Sequence, residues 1–180
     1  MSLWKHSLEL IKKGYKSLYK GNDGGVEITL SSIISYIILP IAVITLSSIY
    51  RIELGENLVS NILTILSIFL AITLGVIFIV PEKLSKRLEN DNSSNESDVN
   101  ARIRYKNFCK LFIQRLSFVL VLSVIIIIFS IITDFIKGYS IIVLSALILG
   151  LFTLSILSIL KLIIDIYLFL ISDLDNLNRR

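Results

Sequence analysis

Hydrophobic positions in this chain fall in four continuous blocks, separated by segments rich in polar and charged residues. Each block has the length of a membrane-spanning helix, which needs roughly 20 apolar residues. Such a helix pairs its backbone polar groups internally, as hydrocarbon requires, and the alternation of a barrel strand is not seen. The pattern predicts an all-α membrane protein with four transmembrane helices, over Ile28 to Tyr50, Leu58 to Val80, Leu116 to Ile136 and Ser140 to Leu160.

The first 20 residues follow a helical pattern of a different kind. Apolar residues recur at alternating steps of four and three, and lysines occupy much of the remaining surface. This spacing predicts an amphipathic interfacial helix over residues 1–20, which lies at the bilayer surface or packs on the cytoplasmic ends of the spans. The apolar positions are Trp4, Leu8, Ile11, Tyr15 and Leu18.

Between the second and third spans, residues 81–115 predict a cytoplasmic helical hairpin. A short helix follows Pro81, the polar run 90–100 forms a turn, and a second helix leads into span three. The chain is therefore organised as an interfacial helix (1–20), transmembrane helices 1 and 2 (28–80), the hairpin (81–115), transmembrane helices 3 and 4 with a cytoplasmic extension (116–171) and a polar tail (172–180).

Composition supports a membrane protein, and the distribution of charge predicts how the chain is oriented in the membrane. The chain is 54% hydrophobic with a mean hydropathy of +0.81, which is more apolar than one soluble core of this size can hide. Most lysines and arginines precede the first span or lie between the second and third, whereas Arg51 and Lys137 are the single cations of the other two connections. By the positive-inside rule, both termini and the hairpin of this multi-pass protein are cytoplasmic.

Several classes of chemistry lack the residues that they need. One histidine, His6, cannot form a histidine cluster for a metal, and the single Cys109 cannot form an internal disulfide. The spans contain no paired acids, no serine with a base partner and no glycine-rich phosphate loop. The sequence therefore predicts a protein that is not an enzyme and that carries no cofactor.

Two of the spans carry features with more than one interpretation. Pro40 in span one removes a backbone donor and predicts a kink, which serves as a gate hinge or as a bend tolerated by packing. In span three, Asp134 and Lys137 predict a local ion pair at the outer interface. Span two presents a stripe of small residues, which packs against another helix or lines a water-filled path: Ser60, Thr64, Ser67, Ala71 and Gly75.

Span four carries charges inside an apolar run. Lys161 and Asp165 are four residues apart on one helical face. Repeated around the axis of a symmetric oligomer, this face would form polar rings at the inner mouth of a pore. The alternatives are an ordinary ion pair of this spacing, or a buried contact with the N-terminal helix. The candidate pore-lining residues are Gly150, Ser158, Lys161, Asp165, Ser67 and Thr64.

The cytoplasmic side also offers a layer of cations that could bind anions. These residues meet anionic lipid headgroups of the membrane or bind a nucleotide or oligonucleotide signal. The candidate anion-binding residues are Lys12, Lys13, Lys16, Arg102, Arg104, Lys106 and Lys110.

The order of elements resembles the small four-span membrane effectors of bacterial anti-phage defence systems. A basic amphipathic helix, two spans, a cytoplasmic hairpin and two more spans are similar in layout to the Hailong membrane effector, to four-span effectors of cyclic-oligonucleotide defence and to the membrane subunit of Kiwa. The resemblance covers the whole chain and is one of architecture. It implies a homo-oligomeric ion channel of the bacterial inner (plasma) membrane, controlled by a nucleotide-type signal from a partner nucleotidyltransferase, whose opening depolarises the infected cell.

The leading hypothesis is therefore a homo-oligomeric channel or membrane-disrupting effector, tetrameric and gated from the cytoplasm. One four-helix unit encloses too little space for a conduit, so a channel requires assembly. The rival hypothesis is a non-conducting membrane sensor or scaffold that recruits a soluble partner through its hairpin. A third is an immunity protein against a pore-forming toxin.

Overall fold

The apolar blocks fold into long helices in the computed structural model. The structure describes residues 3–20, 29–90, 96–133, 135–136 and 138–177. Within these ranges it describes the backbone alone at residues 3–7, 76–90, 96–102, 104–105, 169–170 and 172–177. This part of the chain is all-helical and contains no strand. The elements are α1 (Leu3–Ser17), α2 (Leu30–Ile33), a π-helical turn (Ile34–Ile38), α3 (Leu39–Ile49), α4 (Glu56–Asn90), α5 (Glu96–Thr133) and α6 (Tyr139–Leu177).

Four helical stretches of the described chain have the length and apolar composition needed to cross a membrane. They are Leu30–Ile49, Glu56–Gly75, Lys106–Thr133 and Tyr139–Leu168. The prediction of an all-α chain with four such helices is confirmed at this level. The third stretch begins at Lys106, before the predicted start at Leu116, so that Arg115 lies within it.

The other predicted segments are described in part. Helix α1 covers most of residues 1–20, and its interfacial position stays a prediction. In the predicted hairpin, α4 ends at Asn90 and α5 begins at Glu96, while residues 91–95 of the turn lie outside the described chain. The predicted Asp134–Lys137 pair also lies outside the described residues.

The chain divides into two compact units. The first combines Met1–Glu27, Thr73–Phe118 and Leu160–Arg180, and the second combines Ile28–Ile72 with Val119–Ile159. The core of the second unit consists of aliphatic side chains from the middle of its helices and from the connection before α4, which are Leu54, Ile62, Leu66, Ile126 and Ile148.

The connection before α4 is held to α6 by a hydrogen bond. The Leu54 backbone N–H donates to the Ser145 Oγ over 3.2 Å, and both residues are buried. Because an unpaired backbone donor in an apolar core is costly, the Ser145 hydroxyl provides a partner where the helical ladder has none. The first spanning stretch, Leu30–Ile49, is capped at its start by Thr29. The Thr29 Oγ1 accepts a hydrogen bond from the Ser32 N–H at 3.3 Å.

Pro40 is accommodated by the π-helical turn that precedes it. The Leu39 N–H donates to the Ile34 carbonyl, five residues back, rather than four as in an α-helix. A proline cannot donate, and its ring crowds the preceding turn, so the wider turn relieves the strain that the sequence places there. Helix α3 then starts at Leu39 and continues to Ile49.

Gly150 allows α6 to approach the chain that follows this turn. A Cβ added at Gly150 would overlap the Ile44 side chain and would lie 3.2 Å from the Pro40 carbonyl oxygen. The close approach therefore depends on the absence of a side chain at this position. The structure thus places Gly150 in a helix contact within the second unit.

A Gly150→Ala substitution is expected to lower the free energy of unfolding by about 1–3 kcal/mol, the usual cost of overpacking a tight contact. The matched control is Gly75→Ala on α4, where no described atom lies within 4 Å of the added Cβ. That variant should be neutral or stabilise the helix by up to about 1 kcal/mol. Thermal unfolding in detergent measures both variants, and equal effects would contradict the described contact.

Candidate functional site

Two oppositely charged side chains are buried within the apolar helices of the first unit. Arg115 on α5 and Asp165 on α6 are each 2% exposed, and they are the buried charged residues among the side chains that the structure describes. Both lie inside helical stretches long and apolar enough to span a membrane. Ionisable groups in such a position are expensive to bury and are functional candidates by default.

The Arg115 guanidinium joins three segments of the chain. Its Nη1 donates to the Asp165 Oδ2 in a charge-assisted hydrogen bond between α5 and α6. Its Nε and Nη2 both donate to the Ser17 carbonyl, at 3.0 and 2.7 Å, and Nη2 also donates to the Lys20 carbonyl at 2.6 Å. The planar fork of arginine donors suits such a multiple contact, which a lysine could not reproduce.

The carbonyls that Arg115 binds belong to Ser17, at the C-terminal end of α1, and to Lys20 in the turn that follows. A helix ends with carbonyls that lack intrahelical partners, and its dipole makes that end partly negative. Ser17 is the last residue of α1, and the Lys20 N–H turns back to the Ser17 carbonyl over 3.2 Å. Arg115 thus acts as a cationic cap for α1, supplied by a distant helix.

Asp165 receives a second cation from its own helix. The Lys161 Nζ lies 3.3 Å from the Asp165 Oδ1, at the i, i+4 spacing expected from the sequence. Among the described residues, no hydrogen bond of good geometry reaches this Oδ1, so the contact with Lys161 is chiefly electrostatic. The Lys161 side chain is 29% exposed. The three side chains together carry a formal charge of +1, balanced in part by the α1 dipole.

Close packing of α1 against α5 brings the carbonyls within reach of Arg115. A Cβ at Gly14 would overlap that of Phe118 and would lie 3.2 Å from the Gln114 carbonyl. The Tyr15 ring lies 6.1 Å from the Phe118 ring, and the Ser17 hydroxyl donates to the Gly14 carbonyl at 2.5 Å. A helix with a larger residue at position 14 could not approach so closely.

Of the predicted pore-lining residues on α6, Gly150, Ser158 and Asp165 are buried within their units, whereas Lys161 is partly exposed. The Ser158 side chain is buried, and its Oγ donates to the Leu154 carbonyl at 2.8 Å. Asp165 is bound by Arg115 and Lys161, so that a role at a pore mouth would require these contacts to open. Gly150 belongs to the second unit and Asp165 to the first.

The predicted small-residue stripe on α4 lies on the surface of the chain. Ser60, Thr64, Ser67 and Ala71 are all exposed. The Thr64 hydroxyl donates to the Ser60 carbonyl at 2.8 Å and that of Ser67 to the Leu63 carbonyl at 2.7 Å. The stripe borders a depression of about 580 Å³ lined by Glu56, Val59, Ser60, Leu63, Thr64, Ser67 and Ile68.

Most of the predicted anion-binding cations that can be placed are exposed. Lys12, Lys13 and Lys16 lie on the outer side of α1, and Lys13 pairs with Glu9 at 3.8 Å, each 61% exposed. Lys106 and Lys110 are exposed on α5. The side chains of Arg102 and Arg104 lie outside the described set. In the described chain, no group of three or more His, Cys, Asp or Glu side chains is placed to hold a metal.

Sequence reasoning missed Arg115 and Glu56. Arg115 is the last residue of the predicted hairpin, 81–115, and the hydrophobic pattern gives it no role of its own. The signal that could have identified it is its position between the apolar stretches of LFIQRLSFVL, matched by a lone acid, Asp165, in the apolar run of span four. Glu56 precedes the stripe Ser60, Thr64 by one helical turn, a spacing visible in the sequence.

In comparisons with protein-family models, curated proteins and solved structures, the chain matches none.

Removing the Asp165 charge is expected to destabilise the fold strongly. Asp165→Asn keeps the side-chain volume but leaves Arg115 without its buried counter-ion, which typically costs about 3–5 kcal/mol. The surface variant Lys13→Gln, which breaks an exposed pair with Glu9, is the control and should have little effect. Thermal unfolding in detergent tests this, and equal midpoints for the two variants would show that the buried pair does not stabilise the fold.

Proposed function

We propose that this chain is the subunit of a homo-oligomeric ion channel, or a membrane-disrupting effector, of bacterial anti-phage defence, gated from the cytoplasm by a nucleotide-type signal. The observation that carries the proposal is the depression on α4. It places a carboxylate and three hydroxyls, from Glu56, Ser60, Thr64 and Ser67, along one exposed face of a helix suited to spanning a membrane.

An exposed polar face of this kind is a poor surface to leave against lipid. The described helices of the chain leave Ser60, Thr64 and Ser67 exposed, although small residues in membrane helices commonly serve close helix contacts. Further copies of the same chain provide the simplest cover. In a closed ring, here a tetramer, the faces of several copies would converge on a shared axis and form a polar path through the assembly.

The residues of this path favour cations. Hydroxyl oxygens and a ring of Glu56 carboxylates would replace part of the hydration shell of a cation and would repel anions. Control from the cytoplasm would act through the exposed lysines of α1 and α5, whose chemistry suits a phosphate-bearing signal made by a partner nucleotidyltransferase. The same lysines also suit anionic lipid headgroups.

The test is the current that purified protein passes in planar bilayers, alone and with candidate nucleotide signals. Thr64→Val removes a hydroxyl from the depression at nearly constant volume and should reduce the single-channel conductance several-fold. Thr45→Val is a matched control, because Thr45 is an exposed residue on α3 whose Oγ1 donates to the Ile41 carbonyl at 2.7 Å, as Thr64 does to Ser60. That control should conduct as the unaltered protein does.

Glu56→Gln should weaken the preference for cations over anions, measured as a shift of reversal potential in a salt gradient towards zero. In cells, expression with the partner enzyme should collapse the membrane potential. An assembly that passes no current under any of these conditions would overturn the channel proposal and favour the scaffold. Equal losses in Thr64→Val and Thr45→Val would exclude the α4 face as the path.

A further inference from the structure

In the described chain, α1 and the turn after it are joined to α5 by close packing at Gly14 and by the Arg115 hydrogen bonds to the Ser17 and Lys20 carbonyls. Its buried side presents Gly14, Ser17 and Leu18. Its opposite side presents the exposed Lys12, Lys13 and Lys16. The Leu8 side chain is 61% exposed. The described apolar contact is therefore concentrated in the last turns of α1, next to the carbonyls that Arg115 binds.

The attachment of α1 depends on a charge located on a different helix. Arg115 is buried and needs a buried counter-ion, which Asp165 provides from α6. With Asp165 in place, the guanidinium is held where its Nε and Nη2 reach the Ser17 and Lys20 carbonyls. Without that carboxylate, Arg115 loses the acceptor of its Nη1, and its Nε and Nη2 are no longer held opposite the Ser17 and Lys20 carbonyls.

We propose that α1 is a releasable strap, fastened by a clasp in which Asp165 holds Arg115 and Arg115 holds the C-terminal carbonyls of α1. Breaking the clasp frees α1 from α5 while the spanning helices keep their fold. Release uncovers Phe118 and the positive pair Arg115 and Lys161. The exposed lysines of α1 lie on the side away from the clasp, where an anionic partner can bind without first opening it. This inference goes beyond the proposed function and holds whether or not the chain conducts.

The experiment measures how fast a buried position on α1 becomes accessible. In a Cys109→Ala background, which removes the only cysteine, Leu18→Cys places a thiol at a residue that is 2% exposed. A water-soluble maleimide should label it slowly in purified protein. Lys16→Cys, two residues away and exposed, is the control. Its labelling rate measures the reactivity of the maleimide and does not depend on the release of α1.

Three variants test the clasp against a general loss of structure. Arg115→Lys keeps the charge opposite Asp165 but loses the fork that binds the two carbonyls, so it should release α1 with the spanning helices intact. Asp165→Asn should release it by displacing Arg115, and Gly14→Ala by separating α1 from Phe118. In Arg115→Lys and Asp165→Asn, labelling of the Leu18→Cys thiol should rise about tenfold or more, as expected when a charge-assisted hydrogen bond no longer opposes opening. In Gly14→Ala, labelling should also rise, because the added Cβ overlaps the Phe118 side chain.

The controls are the unchanged labelling of the Lys16→Cys thiol, and helix content and gel-filtration profile close to those of the unaltered protein. If Asp165→Asn fails to fold, Arg115→Lys alone decides. Labelling of the Leu18→Cys thiol within twofold of the background rate in Arg115→Lys would overturn the proposal. So would a rise in Gly14→Ala alone, since α1 would then be held by packing and not by the clasp.

Discussion

The structure of the first unit depends on the cost of keeping a charge in an apolar environment. Arg115 cannot stay buried without a counter-ion and acceptors for its N–H groups, and two segments of the chain, residues 17–20 and α6, supply them. Its position therefore constrains the end of α1, the face of α6 that carries Asp165, and the close packing at Gly14. One guanidinium thus links segments that are about a hundred residues apart in sequence.

The two polar features of the molecule differ in where their hydrogen-bond partners come from. The cluster around Arg115 is buried, and its partners come from the same chain. The hydroxyls on α4 bond to carbonyls of their own helix, and the face that they form stays exposed. The first arrangement stabilises and positions a segment, whereas the second offers a surface. This difference is why the buried cluster supports a conformational device and the exposed face supports assembly.

The sequence predicts the helices well because hydrocarbon allows few alternatives. Long runs of Ile, Leu and Val in this chain leave the backbone no other way of pairing its polar groups, and four spans follow directly. The i, i+4 relation of Lys161 and Asp165 is likewise local and is present in the structure. A buried contact with the N-terminal helix is one of the alternatives for these two residues. In the structure Arg115 links Asp165 to the Ser17 carbonyl at the end of that helix.

The sequence does not predict the tertiary contacts between distant helices. Nothing near Arg115 in the chain indicates that its partners are Ser17 and Asp165, because contacts between distant helices depend on how those helices pack. Gly14 illustrates the same limit: its role is visible only when Phe118 is found beside it. The sequence also does not predict that Ser158 is buried and Ser67 is exposed. Stripes of hydroxyl residues at helical spacing look the same in a sequence whether they face the protein interior or its surface.

The π-helical turn before Pro40 has a consequence for the register of the first span. A π turn holds an additional residue, and each residue advances a helix by about 100°. Every side chain after Ile38 is therefore rotated relative to a uniform α-helix with the same start. Pro40 and Ile44, which meet Gly150, owe their orientation to this offset. Deleting one residue from Ile34–Ile38 would turn a different side of the helix towards α6, although the hydrophobicity of the span would hardly change.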